Sequence, residues 1–243
     1  MALSSGGDYN RFVVQEAGSI IRAMSSPVFE FRVCQNPACG LRYPLMQGSA
    51  LGERCPLCLG VTAVVARSVV EGEQARPARL PQYPAAPAVL LDNIRSAWNA
   101  GSIFRSADGF GFRHVYLCGI SPTPENPRLG KTALGAQQSV PWSSHRNAVV
   151  LLEQLKAGGH VIWALEQGSD SQPLEDASGV GPALEKLVLV VGNERAGVDP
   201  GILERADRVV HIDMRGSKRS LNVAVAFAVA AYALMRGVRA ASR

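Results

Sequence analysis

The chain predicts an α/β fold: a mostly parallel sheet with helices on both faces, preceded by a small cysteine-bearing module. Three observations carry this. Between residues 88 and 243 short apolar runs alternate with amphipathic stretches of helical length. Four of the five cysteines fall in two close pairs between residues 34 and 58. A proline-rich stretch, Glu71 to Pro87, has neither helical nor strand periodicity and separates the two parts. The expected division is therefore 1–70, a linker at 71–87, and 88–243.

With 47% hydrophobic and 19% charged residues in 243, the chain can bury a substantial core and is not a disordered tract. Its longest apolar run, Val223 to Met235, is too short and alanine-rich to span a bilayer, and the first ten residues lack the basic-then-apolar pattern of a signal peptide. A cytoplasmic protein without a membrane segment is expected. The net charge of +5 favours a polyanionic partner through phosphate contacts, but charge alone does not decide for one.

Taken in order, Phe12 to Met24 has apolar residues near helical spacing. Phe29 to Val33 alternates as a strand and leads into Cys34. Cys34, Cys39, Cys55 and Cys58 are flanked by Pro37, Gly40, Pro56 and Gly60, turn residues that let two knuckles aim thiolates at one tetrahedral ion. This reads as a zinc ribbon; two disulfides are the alternative, disfavoured in a reducing compartment. Arg32, Arg42, Arg54 and Arg67 surround it, which fits a merely solvated surface; the expectation weighed against it is that the module docks RNA or a partner subunit. Cys118 belongs to an apolar run and reads as a buried strand thiol.

Beyond the linker, strands are expected at Ala88 to Leu91, Val115 to Cys118, near Ser139 to Trp142, at His160 to Leu165, Leu187 to Val191 and Arg208 to Ile212. Helices are expected at about Asn99 to Gly109, within Pro122 to Gly135, at Ala148 to Ala157, and from Asn222 onward. On the first helix Asn99, Ser102, Arg105 and Ser106 share a polar face, while Ile103, Ala107 and Phe110 turn inward. Taken alone, that face is compatible with a capped helix bearing a solvated arginine. The strand at Leu187 ends in Gly192-Asn193-Glu194 with Gly197 following, and the strand at Arg208 leads through Gly216 to Ser220 and Asn222 at a helix start. Strand, tight turn and helix N-terminus mark a ligand position, expected here as two loops on adjacent strands. The spacing is not GxGxxG, so dinucleotide binding is poorly supported.

Together, Asn99-Ala-Gly-x3-Arg105, Val191-Gly-Asn-Glu194-x2-Gly197 and Ile212-x-Met214-x-Gly216-x3-Ser220-Leu-Asn222 resemble the three ordered motifs of the SpoU, or TrmH, family of RNA 2'-O-ribose methyltransferases in the SPOUT class. Asp213 departs from the proline common there, and Ala224 from serine. The resemblance implies that the carboxyl-terminal part of the sheet is threaded into a trefoil knot that binds S-adenosylmethionine, and that two subunits form a homodimer around the active site. It further implies a catalytic set of Asn99, Arg105, Glu194, Ser220 and Asn222, and cofactor contacts from Val191, Gly192, Asn193, Ile212, Met214 and Leu221. Arg128 and Lys131 would lie near the tRNA or rRNA substrate. A non-enzymatic RNA-binding or assembly factor of the same fold, and a nucleotide-dependent oxidoreductase, are the competing readings.

Overall fold

The computed structural model describes residues 28–49, 52–69, 86–177 and 181–241. The chain divides into two compact units, Met1–Arg76 and Pro77–Arg243. The helix expected over Phe12 to Met24 and nearly all of the expected linker lie outside the described residues.

In the first unit, β1 (Val28–Cys34), β2 (Arg42–Met46) and β3 (Thr62–Val69) form an antiparallel sheet in the order β2-β1-β3. Among the described residues its buried apolar side chains are few. The carboxylate of Glu30 is nearly buried there and is answered by Arg32 at 2.9 Å and Arg67 at 3.2 Å, since a buried charge left alone would be strongly unfavourable.

The second unit is a seven-stranded sheet in which every pairing is parallel. Its strands are β4 (Ala88–Asp92), β5 (His114–Cys118), β6 (Trp142–His145), β7 (Val161–Leu165), β8 (Gln172–Pro173), β9 (Leu187–Val191) and β10 (Arg208–His211). All five residues of β4 and of β9 are buried, as central parallel strands covered on both faces require. One face packs against α1 (Ala97–Phe110), α2 (Pro127–Ala133), α3 (Ala136–Ser139) and α6 (Val223–Ala241), through Ile103, Phe104, Leu129 and Phe227. The other packs against α4 (Ala148–Ala157) and α5 (Pro200–Leu203), through Leu152 and Ile202. Cys118 is buried as expected, and burial pushes its thiol up to about 12.

Two expectations are corrected. The strand placed near Ser139 to Trp142 begins instead at Trp142, because Ala136–Ser139 is a helical turn and Pro141 has no N–H to give the ladder. The strands β9 and β10 are not neighbours: the sheet order is β6-β5-β4-β9-β7-β10-β8, with β7 between them. No helix among the described residues is long and apolar enough to cross a membrane.

Candidate active site

The carboxyl ends of β9, β7 and β10 open into one cavity of about 480 Å³. Val191, Gly192, Asn193 and Glu194 line it from β9, Leu165 and Glu166 from β7, and Ile212, Met214, Ser220, Leu221 and Asn222 from the segment between β10 and α6. All six residues expected to touch a cofactor, and three of the five expected catalytic ones, thus meet in one space. The size suits a nucleoside-sized ligand.

The loop after β9 is held shut by its own backbone. Asn193 and Gly197 exchange N–H donors at 2.9 Å in both directions, and the Asn193 side chain accepts from the N–H groups of Arg195 and Ala196 at 3.0 Å. A Cβ on Gly192 would overlap the carbonyl of Gly197 and the nitrogen of Val198, so only glycine allows this close approach. Two further carboxylates brace the loop. Glu166 accepts from the N–H of Val198 at 3.0 Å, and Asp92 from that of Asp199 at 2.9 Å. Burial raises the Asp92 carboxyl above its ordinary value, against the lowering effect of the Asp199 N–H and the Asn93 side chain.

At the cavity rim the three motifs join. Glu194 accepts from the backbone N–H groups of Arg95 at 2.9 Å and Ser96 at 3.0 Å, and from the side-chain amide of Asn99 at 3.0 Å. Asn222 donates its amide to the Asn99 oxygen at 3.0 Å, and its own oxygen caps α6 by accepting from the Ala224 N–H at 2.9 Å. Burial pushes the Glu194 carboxyl up, but the donors from Arg95, its own backbone, Ser96 and Asn99 together outweigh it, so it lies below the usual carboxylate range. A carboxylate so occupied is a clamp rather than a base.

Arg105 stands apart. It is exposed on α1, lines neither this cavity nor the groove beside it, and makes no hydrogen bond or ion pair among the described residues. That groove, of about 530 Å³, runs between α1 and α6 and is lined by Asn99, Ser102 and Ser106 on one side and by Val225, Val229 and Tyr232 on the other. Arg128 and Lys131 are exposed on α2.

Several residues at the cavity or bracing the loop behind it were not singled out from the sequence. Glu166 and Asp92 each sit at the carboxyl end of an apolar strand, a position that was itself the available signal. His211 lines the cavity and bridges Ser171 at 2.8 Å to Asp213 at 3.1 Å, so Asp213 has a structural partner beside the site.

In the first unit the sulfurs of Cys34, Cys39, Cys55 and Cys58 all lie within 4.8 Å of one another, with Cys34 to Cys58 at 3.4 Å and Cys39 to Cys55 at 3.7 Å. None is in a disulfide. Ligand sulfurs about 2.3 Å from a tetrahedral ion stand roughly 3.8 Å apart, so the four sulfurs fit a metal.

The SpoU rRNA Methylase family model matches residues 86–232. The chain is 33% identical over 148 residues to the 23S rRNA (guanosine(2553)-2'-O)-methyltransferase RlmP of Bacillus subtilis, covering 60% of this chain and 56% of that protein. Among solved structures, it is similar to the A. aeolicus TrmH/SpoU tRNA modifying enzyme, with TM-score 0.59 and 27% identity over 66% of this chain and 79% of that one. The Streptomyces viridochromogenes SpoU methyltransferase AviRb in complex with the cofactor AdoMet shares the fold, with TM-score 0.58 and 24% identity over 77% of this chain and 72% of that one. The chain spans about half the length of the first curated relatives it matches.

Proposed function

This chain belongs to the SpoU rRNA Methylase family, and on that premise we propose that it transfers a methyl group from S-adenosylmethionine to a ribose 2'-hydroxyl of tRNA or ribosomal RNA. The observation that carries the proposal is the Glu194–Asn99–Asn222 chain of hydrogen bonds at the cavity rim, which joins three distant motifs around one point.

Bound in the cavity, S-adenosylmethionine supplies an electrophilic methyl on a sulfonium. The chain's own residues do the rest. The glycine-tight loop from Val191 to Gly197, with Ile212, Met214 and Leu221, walls the donor through backbone groups and apolar side chains. A ribose hydroxyl is a poor nucleophile near neutral pH, so alignment and polarisation dominate. Glu194 fixes Asn99, and Asn99 fixes Asn222, leaving this frame and the Ser220 hydroxyl to orient the attacking oxygen. The Arg105 guanidinium holds the adjoining phosphate.

The α1–α6 groove is covered by a second copy in this reading, making a homodimer. Its support is the exposed apolar face of Val225, Val229 and Tyr232. The segment between β10 and α6 threads a trefoil knot, supported by the insertion of β7 between the two strands whose loops wall the cavity. The four cysteines hold a structural zinc ion, and the ribbon docks RNA. The place of work is the cytoplasm.

The test is a methyl-transfer assay with the full chain, labelled S-adenosylmethionine and total RNA, beside calorimetry of cofactor binding. Labelled 2'-O-methylnucleoside is expected. Cofactor binding without transfer would mean a non-enzymatic factor, and binding of NAD in its place an oxidoreductase.

A further inference from the structure

We infer that Trp98 is a stacking platform for an unpaired base of the bound RNA, beside the methylated ribose; this rests on the RNA methyltransferase reading above. Trp98 precedes Asn99 on α1 and is 51% exposed, whereas Trp163 is buried in the core. It has no aromatic or cation–π partner among the described residues, and its indole N–H makes no hydrogen bond there. A large planar ring left open next to a residue of the site frame can take a flat partner on its face.

The surroundings say what that is. Seven residues turn an α-helix through about 700°, so Trp98 and Arg105 point within roughly 20° of each other, about 10.5 Å apart along α1. One outward stripe therefore carries a ring and the phosphate-holding guanidinium, at a separation spanned by neighbouring nucleotides. α2 is tied to the same turn: the Thr132 hydroxyl donates to the Trp98 carbonyl at 2.9 Å, and α2 presents Arg128 and Lys131 to solvent. Arg95, exposed just before α1, adds another cation, and the first turn of α1 contains no acidic residue. Aromatic surface interleaved with unpaired cations suits single-stranded nucleic acid, where bases stack on rings and phosphates meet guanidinium groups. A second copy of this chain fits less well, because two such cationic rims repel each other. Trp98 also lies outside the lining of the α1–α6 groove.

The experiment uses the full chain carrying W98A or W98F, with unfractionated ribosomal RNA and tRNA as probes. From a stacking contribution of about 1–3 kcal/mol per base, W98A should raise KM for RNA about fivefold or more with kcat within about twofold, and W98F should retain most of the affinity. Cofactor binding should not change. RNA should quench indole fluorescence in the wild type and in W142F, but not in W98F. An unchanged KM in W98A, or a quench that persists in W98F, overturns the proposal. So does a W98A variant whose subunits dissociate, which would make Trp98 an interface residue. If the wild type methylates no RNA, the enzymatic reading fails by itself, and the quench still decides whether a base stacks on Trp98.

Discussion

The amide of Asn99 lies 3.0 Å from the carboxylate of Glu194, although 95 residues separate them in the chain. Asn99 is near the start of α1 and Glu194 sits in the loop after β9, and β4 and β9 are direct neighbours in the sheet. The parallel pairing of two fully buried strands thus sets the rim of the site. Replacing Glu194 by Gln puts an amide where three donors converge, one of which must then face another donor. E194Q should lower the methyl-transfer rate at least tenfold, with S-adenosylmethionine affinity changed far less, as single-turnover rates and calorimetry would show. Equal losses in both would mean that Glu194 shapes the cavity rather than the rim.

Arg105 should behave differently. It lines neither the cavity nor the groove described above and holds no partner among the described residues, so its removal leaves the fold intact. R105A should reduce transfer by roughly a hundredfold or more while thermal stability and cofactor binding stay close to wild type. A variant that methylates RNA at the normal rate would remove Arg105 from the mechanism.

Gly192 is where a single methyl group does most harm. A Cβ there overlaps the backbone of Gly197 and Val198, and the loop cannot shift without breaking the Asn193–Gly197 exchange and the Glu166 and Asp92 braces. G192A should cost about 1–3 kcal/mol, visible as a lowered Tm, and should weaken cofactor binding as well. An unchanged Tm would mean that the loop is looser than its hydrogen bonds suggest.

The four cysteine sulfurs predict a separable response to metal removal. A chelator should release about one zinc per chain, read by elemental analysis, and unfold the first unit, whose described residues bury little apolar surface. The second unit buries its own two-faced core and should still bind S-adenosylmethionine. A chain purified from reducing buffer with no bound zinc would return the cysteines to the disulfide alternative.

Much of this was legible in the sequence because it is local. The apolar runs of β4 and β9, the inward face of α1 and the Asn222 cap of α6 follow from spacing and side-chain type within a few residues. What was not legible is non-local. Nothing in Val161 to Leu165 says that this strand enters between β9 and β10, since sheet order depends on how crossovers pack and not on the strand's own pattern. The same holds for Glu166 and Asp92, whose partners lie 32 and 107 residues away. Trp98 is a third kind of case: helical spacing puts it on the stripe with Arg105, but only the packing of α2 shows that its ring stays open.

The Glu194 clamp also fixes a pH dependence. Its carboxyl lies below the ordinary value of 4.5 in the folded chain, because the donors around it favour the charged form. A depressed folded value means that the unfolded chain takes up the proton first as pH falls, so the clamp stabilises fully above about 4.5 and is lost on descent through the folded value. The E194Q variant lacks this contribution at every pH. The difference in Tm between wild type and E194Q should therefore be constant from about pH 7 to 5 and shrink as pH falls below about 4.5. Salt should change it little, because two of the three donors to the carboxylate are backbone N–H groups rather than mobile surface cations. A Tm difference that does not shrink at all on descent below about pH 4.5 would mean that the charge on the carboxylate does not hold Asn99 in place.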